Sequence, residues 1–238
     1  MSVLHKTRAI VLRTFRHGDN SVVLKAYTEA FGARSYIVRT GKRSAVRPAH
    51  LQPLTLVELV VTERAEREMH HVQEARLEKA YPGTSPDQPR ALVLLFAQEV
   101  FYRTLREEAP DSALFSGAIL LLDEIGTSDK PGNLPLLLLV RMAKHMGILP
   151  EPPLPGDDRF DLREGRFFQG RPQHAFCMEP AIAQGFAMVL HTASTGAPLQ
   201  LGNVVRTDLL DQLLAYFSMH VEGFGQLRSP EVLHALLH

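Results

Sequence analysis

The hydrophobic pattern of the chain changes once, and this change constrains the fold more than any other feature of the sequence. Across residues 3–81, apolar and β-branched residues recur in short runs that Gly, Asn and Asp interrupt. From residue 88 onwards, apolar residues recur with the spacing of a helix instead. The intervening Tyr81-Pro82-Gly83-Thr84-Ser85-Pro86 is rich in residues that break regular structure. The sequence therefore predicts a β domain over residues 1–81 and an α-helical domain over residues 82–238.

The first domain is predicted to contain five strands. Turn residues separate the first three strands at residues 17–20 and around Gly32. The expected strands are residues 9–16, 21–28, 34–40, 51–62 and 67–81, with a helix as an alternative for the last. Strands at this spacing fit a small closed barrel such as the OB-fold. We therefore predict an α+β multidomain protein in which a five-stranded OB-fold β-barrel precedes an α-helical domain.

The second domain is predicted to be helical, with a β-hairpin inserted around residues 156–177. The hairpin is expected over residues 160–168, with a turn at Arg163-Glu164-Gly165. Capping residues place the starts of three helices, at Asp111 or Ser112, at Thr207 or Asp208, and at Ser229. The expected helices are residues 88–106, 112–125, 134–146, 179–191, 207–217 and 229–237.

The charge is distributed unevenly. Residues 1–57 contain ten Lys and Arg and only two acidic residues, a net charge of +8, whereas the whole chain has 26 basic and 26 acidic residues. A strand, a basic glycine-containing loop at residues 40–50 and a second strand form a pattern that presents cations to phosphates. A solvated surface loop is the alternative, but the basic excess extends over the whole predicted barrel. We predict a nucleic-acid interface made by Arg16, Arg34, Arg39, Lys42, Arg43 and Arg47.

Aromatic residues of the first domain are candidates for stacking on bases. Tyr36 lies next to the strand residue Ile37, so we expect Tyr36 to face outwards, and we place Phe15 and Phe31 in the core.

The sequence gives no positive support for catalysis, a metal or a cofactor. Phosphate-binding loops, dinucleotide fingerprints and nucleophile motifs are all missing. His174 and the single cysteine, Cys177, have ligand-like spacing, but a structural zinc site needs four ligands. We interpret these two residues as structural or surface residues, and the acidic residues 157, 158, 161 and 164 as solvated turn carboxylates. We therefore expect no stoichiometric zinc.

Neither a signal peptide nor an apolar stretch long enough to span a membrane is recognisable, so the cytoplasm is the expected compartment.

Several stretches of the first domain resemble the bacterial recombination mediator family RecO. They are TRAIVLR at residues 7–13, HGDNSVV at 17–23, FGAR at 31–34, Gly41-Lys42-Arg43, and LQPLTLVE at 51–58. The helical half and the ending GFGQLRSPEVL, at residues 223–233, are similar to the family more loosely. One departure is clear: many members carry a four-cysteine zinc motif after the third helix, whereas the equivalent residues 150–180 contain only Cys177.

The resemblance implies a non-catalytic role in DNA repair. It implies binding of single- and double-stranded DNA, annealing of complementary strands and loading of the RecA recombinase. The implied protein partners are RecR and the acidic C-terminal tail of the single-strand DNA-binding protein. For that tail we predict a rim of cations on the helices, at Arg103, Arg106, Arg141 and Lys144. An RNA-binding OB-fold accessory protein, or an enzyme whose site has no recognisable motif, are the alternatives.

Overall fold

A computed structural model of the chain describes residues 3–41, 44–63, 69–81, 88–106, 109–129 and 131–237. The chain forms two compact units. The first consists of Met1–Pro86 and Phe101–Thr127, and the second of Asp87–Val100 and Ser128–His238. A domain boundary after residue 81 stays a prediction.

A five-stranded barrel forms most of the first unit. Its strands are β1 (Val3–Arg16), β2 (Ser21–Thr28), β3 (Gly32–Arg39), β4 (Leu56–Glu63) and β5 (Met69–Lys79). They close in the order β1-β2-β3-β5-β4, and β1 pairs with β4 to complete the ring. All neighbours are antiparallel except β3 and β5. This order is that of an OB-fold, so the predicted fold class is confirmed.

Side chains that alternate along the strands fill the barrel interior. Ala9 and Val11 of β1 point inwards, and the register then shifts between Val11 and Arg13. Such a bulge exchanges the two faces of a strand. Consequently Phe15 points outwards and is 38% exposed, so its predicted place in the core is wrong. Tyr36 is fully buried instead of facing outwards, because it shares the inner face of β3 with Val38.

Three predicted strands differ clearly from the observed ones, and the first is β1, which begins at Val3 instead of residue 9. The fourth begins at Leu56 instead of residue 51, because Pro48–Leu51 forms a 3₁₀ helix whose Leu51 joins the barrel core. Along β5 the buried residues are His70, Val72 and Ala75. The register with β4 shifts at this point, and the bulge explains why strict alternation fails.

Two helices contribute to the first unit. Helix α1 (Gln88–Thr104) passes from the second unit into the first, and α2 (Ser112–Thr127) follows it. The carboxylate of Asp111 accepts a hydrogen bond from the Leu114 amide at 2.9 Å, which confirms Asp111 as the N-cap. Phe115 of α2 lies 6.3 Å from the ring of Tyr27, on the outside of β2. Helix α2 therefore covers part of the outer barrel surface.

The second unit contains four further helices and a small sheet. The helices are α3 (Leu134–His145), α4 (Pro180–Thr195), α5 (Asn203–His220) and α6 (Pro230–Leu237). The sheet has the order β7-β6-β8, with β6 (Arg159–Asp161), β7 (Arg166–Phe168) and β8 (Cys177–Met178). Helix α5 begins after Gly202, so Thr207 and Asp208 lie inside it and do not cap it.

A buried aromatic cluster holds this small sheet against the helices. The ring of Phe160 on β6 lies 4.9 Å from Phe167, 4.9 Å from Phe186 on α4, and 5.7 Å from Tyr216 on α5. The hydroxyl of Tyr216 also donates a hydrogen bond to the carbonyl of Ile148 at 2.6 Å. The hairpin is thus anchored by packing of apolar side chains.

Candidate nucleic-acid interface

Part of the outer surface of the barrel is not covered by α2, and we call it the open face. Its residues follow from the register of β1, β2 and β3 and from the outward side of each strand. It consists of Arg13, Phe15, Ser21, Val23, Lys25, Ser35, Ile37 and Arg39. None of these residues is acidic, and all three cations are exposed. The open face is therefore a positively charged surface on three adjacent strands.

The cations of the open face are not neutralised by neighbours. Within the described ranges, no acidic side chain lies within ion-pair distance of Arg13, Lys25 or Arg39. Lys25 donates a hydrogen bond to the hydroxyl of Ser35 at 2.5 Å. The guanidinium of Arg13 lies 4.9 Å from the ring of Phe15 and 5.4 Å from the ring of Tyr102. Cation–π contacts of this kind leave the charge itself available to an anion.

Other cations of the barrel are bound by carboxylates. Lys6 pairs with Glu58 at 2.8 Å. Arg8 binds Glu78 through two hydrogen bonds of 3.0 and 2.8 Å, and these bonds raise its pKa although partial burial lowers it. The basic excess of the first 57 residues is thus neutralised in part, and three exposed cations for which the structure describes no carboxylate partner, Arg13, Lys25 and Arg39, lie on the open face.

The structure places the six predicted site residues in different surroundings. Arg39 lies on the open face, and Arg16 lies beside the β1–β2 turn, where it pairs with Asp19 at 3.7 Å. Arg47 is exposed and immediately precedes the 3₁₀ helix. Arg34 is half-buried and lies five residues before Arg39 on β3, a separation of about 17 Å. Lys42 and Arg43 lie outside the described residues.

Sequence reasoning missed three members of this surface as site residues: Arg13, Phe15 and Lys25. The two cations do carry a signal, because Arg13 and Lys25 are charged residues within largely apolar strands, and residues opposite each other in an antiparallel pair share a face. Phe15 carries no such signal, since its orientation depends on the bulge.

Comparison with known proteins gives consistent matches. Residues 1–81 match the family model described as "Recombination protein O N terminal". Three similar proteins are named DNA repair protein RecO: that of Christiangramia forsetii is 25% identical, that of Bacteroides fragilis 28% and that of Porphyromonas gingivalis 26%. These alignments cover 97–98% of this chain and 98–99% of the relatives. The chain is similar to RecO proteins over almost its whole length, and its first 81 residues match the N-terminal domain of that family. This similarity supports a role in DNA repair and recombination.

Three donor side chains come together where β6 pairs with β8, in the region for which the resemblance implied a zinc motif in many relatives. Nδ1 of His174 lies 3.6 Å from Sγ of Cys177 and accepts a hydrogen bond from the Phe176 amide at 3.3 Å. Nε2 of His174 lies 3.3 Å from a carboxylate oxygen of Asp161. Burial raises the pKa of the Cys177 thiol, and the nearby Asp161 raises it further.

This donor set does not fit a structural zinc site. The three residues, Asp161, His174 and Cys177, supply three donors where a structural zinc takes four. The raised pKa also disfavours the thiolate that zinc requires. The cluster is better explained as a hydrogen-bonded chain that connects β6 to β8, and the zinc content of the protein stays a prediction.

The four cations predicted to receive a protein partner are divided between the two units. Arg103 and Arg106 belong to the first unit, whereas Arg141 and Lys144 lie on α3 in the second. The second unit also contains a groove of about 630 Å³ beside the start of α5. Its lining includes Pro89, Pro131, Leu199, Leu201 and Arg206. A groove lined by apolar side chains, polar side chains and one cation, Arg206, has the chemistry expected of a site for an acidic, apolar peptide end.

No helix among the described residues is both long enough and apolar enough to cross a membrane.

Proposed function

We propose that this protein is a non-catalytic recombination mediator of the RecO family that binds single- and double-stranded DNA through the open face. The observation that carries the proposal is the set of exposed cations on three adjacent strands, with no acidic residue among them. Cations on such a surface bind phosphates and release counterions. Binding through phosphates serves annealing of complementary strands and loading of a recombinase, because neither process requires a particular sequence.

Simultaneous replacement of Arg13, Lys25 and Arg39 by alanine tests this proposal. Single-strand binding has a log–log salt slope of about −0.7 per neutralised phosphate, so three lost contacts should flatten the slope by about 2. Affinity should fall alike on every sequence, since phosphate contacts carry no base information. Fluorescence anisotropy with mixed-sequence single strands and duplexes, at several salt concentrations, measures both effects.

A charge-matched variant provides the control. Lys6, Arg166 and Arg171 are exposed and lie off the open face, so their replacement by alanine removes the same charge. The control should retain the wild-type slope. Equal slopes for wild type and the open-face variant, with both folded, would contradict the proposal. Tighter binding of wild type to structured RNA than to DNA would favour an RNA accessory protein, and strand annealing that requires a nucleotide or a metal would favour an enzyme.

The second unit is proposed to bind the protein partners, namely RecR and the acidic tail of the single-strand DNA-binding protein, which would bring the RecA recombinase to the DNA. The groove beside α5 supports this assignment for the tail, because apolar side chains and Arg206 line the same depression. Arg206 also donates a hydrogen bond to the Leu201 carbonyl at 2.9 Å, which fixes its position in the wall.

Two charge variants separate the groove from the cations predicted by sequence. Arg206→Gln removes the charge but keeps a hydrogen-bond donor, so the wall should survive. It should weaken binding of an acidic tail peptide, whereas reversal of charge at Arg103, Arg106, Arg141 and Lys144 should leave binding unchanged. The opposite result would place the peptide at the four cations. Calorimetric titration of the peptide measures both.

A further inference from the structure

The open face contains an apolar row between its charged rows. Phe15 of β1 lies opposite Val23 of β2, and Val23 lies opposite Ile37 of β3. Phe15 is 38% exposed, and the other two side chains are half-buried. Neighbouring strands are about 4.8 Å apart, so the row extends about 10 Å across the sheet. We call these three residues the apolar row.

Charged and polar rows flank the apolar row on both sides. Arg13 and Lys25 face each other on one side, and Lys25 lies opposite Ser35. On the other side, Ser21 lies opposite Arg39. A nucleic acid that places its phosphates on the cations therefore brings the rest of each nucleotide over the apolar row.

The apolar row is left open where neighbouring outward residues are covered. Ile10 and Tyr27 are opposite each other on the same side of the sheet, and both are fully buried. Phe115 of α2 lies against Tyr27. The guanidinium of Arg13 lies over the ring of Phe15 at 4.9 Å, and no helix ring contact to Phe15 is found among the described residues. The helix cover thus ends before Phe15, which leaves an aromatic side chain in the middle of a cationic surface.

We infer that the apolar row contacts unpaired bases and that Phe15 stacks on them; the inference rests on the proposed DNA-binding function. Phosphates gain nothing from an apolar surface, whereas every base has a flat π-face that stacks on an aromatic ring without regard to sequence. A duplex hides these faces within its own stack. The apolar row therefore distinguishes a single strand from a duplex, while the flanking cations bind both.

Replacement of Phe15 by alanine tests the inference on three probes: a mixed-sequence single strand, a strand of the same length made of abasic sites, and a duplex. Stacking on one aromatic side chain is worth about 5-fold to 150-fold in affinity. Phe15→Ala should lose this factor on the normal single strand only. The salt slope should not change, because no phosphate contact is removed. Phe15→Tyr should retain wild-type binding.

Two controls make the result interpretable. Leu4, also on β1, is 63% exposed, so Leu4→Ala removes an exposed apolar side chain off the open face and should bind like wild type. Phe15→Leu keeps an apolar side chain without the flat ring and should resemble Phe15→Ala. If Phe15→Ala fails to fold, the affinity of Phe15→Leu for the single strand tests the stacking role in its place. Circular dichroism melts establish which variants are folded.

Unchanged affinity of folded Phe15→Ala or Phe15→Leu for the normal single strand would overturn the inference. An equal loss on all three probes would also overturn it, since Phe15 would then only support the sheet. These failures are distinguishable from failure of the proposed function. If the Arg13, Lys25 and Arg39 variant still flattens the salt slope, DNA binding by the open face stands without the stacking role.

Discussion

At the scale of single residues, Asp123 joins α2 to the end of β5 through its carboxylate. One carboxylate oxygen accepts hydrogen bonds from the Lys79 ammonium, at 2.7 Å, and from the Tyr81 hydroxyl. Partial burial alone raises the pKa of Asp123, but the hydrogen bonds from Lys79 and Tyr81 outweigh it and hold the pKa below its ordinary value. Burial and the hydrogen bond to Asp123 together raise the pKa of Tyr81. The ionised carboxylate therefore stabilises the folded state.

A pH dependence follows. Because the pKa of Asp123 is lower in the folded than in the unfolded chain, its contribution is present above about pH 4 and is lost as the pH falls through the folded-state value. Asp123→Asn should be less stable than wild type at pH 7, and the difference should shrink towards pH 3. Urea unfolding across this range measures it. Asp19, whose side chain is 97% exposed, offers the control Asp19→Asn, which should cost little at either pH. A difference for Asp123→Asn that stays constant with pH would contradict the assignment.

Residue orientation in β1 and β3 shows what the sequence could not predict. The run Ala9 to Leu12 is apolar at every position, so the alternation of polar and apolar residues cannot show which of these side chains point into the barrel. The bulge then inverts the faces between Val11 and Arg13, and the expected orientation of Phe15 was wrong for this reason. In β3 both Tyr36 and Ile37 are apolar, and only the barrel decides which one points inwards.

At the scale of elements, two helical glycines should respond oppositely to alanine. A Cβ added at Gly185 of α4 would lie 2.7 Å from Cγ1 of Val205 on α5, so Gly185→Ala should destabilise by about 1–3 kcal/mol. At Gly126 of α2 the nearest atom would be 3.9 Å away, in Tyr81, so Gly126→Ala should stabilise by about 0.5 kcal/mol through helix propensity. Denaturant unfolding measures both. Unchanged or increased stability of Gly185→Ala would show that the α4–α5 crossing tolerates a side chain.

Helix boundaries were predictable where local capping decides them. Asp111 caps α2 through its own carboxylate, as a short-range signal should. Helix α5 instead begins at Asn203, four residues before Thr207. Its N-cap is Gly202, which has no side chain that could signal the helix start. At the start of α6, the Ser229 hydroxyl donates to Glu99 at 2.7 Å, and the same carboxylate accepts from the amides of Arg228 and Ser229. The hydrogen-bond donors at this helix start are therefore bound by Glu99, which lies far away in sequence, so no local sequence pattern could predict the contact.

At the scale of the whole molecule, the first unit contains more than the barrel. Residues 101–127 cluster with it, and Phe115 of α2 packs against Tyr27 on the outside of β2. A fragment of residues 1–127, which also carries the part of α1 that belongs to the second unit, should therefore melt at a higher temperature than a fragment of residues 1–81, which lacks the packing of α2 on Tyr27. Circular dichroism melts measure the difference. Equal stability of the two fragments would instead support the domain boundary predicted after residue 81.

The order of strands and helices was predictable because it depends on long, periodic segments, and the RecO resemblance extended that prediction to the barrel topology. The composition of the candidate interface was predictable only in part. Charge asymmetry indicated the correct end of the chain, but pairing of Lys6 with Glu58 and of Arg8 with Glu78 depends on strands brought together by barrel closure. Which cations stay available is thus a property of the folded barrel.

The closure between β3 and β5 has a mechanical consequence. This parallel seam pairs Ser35, Tyr36 and Ile37 with Met69, His70 and His71, whereas β1 and β4 pair along eight positions. The seam should be the first part of the ring to open in a local fluctuation, and its amide protons should exchange with solvent faster than those of the β1–β4 pair. Ile37 belongs both to the seam and to the apolar row. A DNA strand bound against Ile37 would therefore stabilise the pairing of β3 with β5. The amide protons of this seam should then exchange more slowly in the complex than in the free protein.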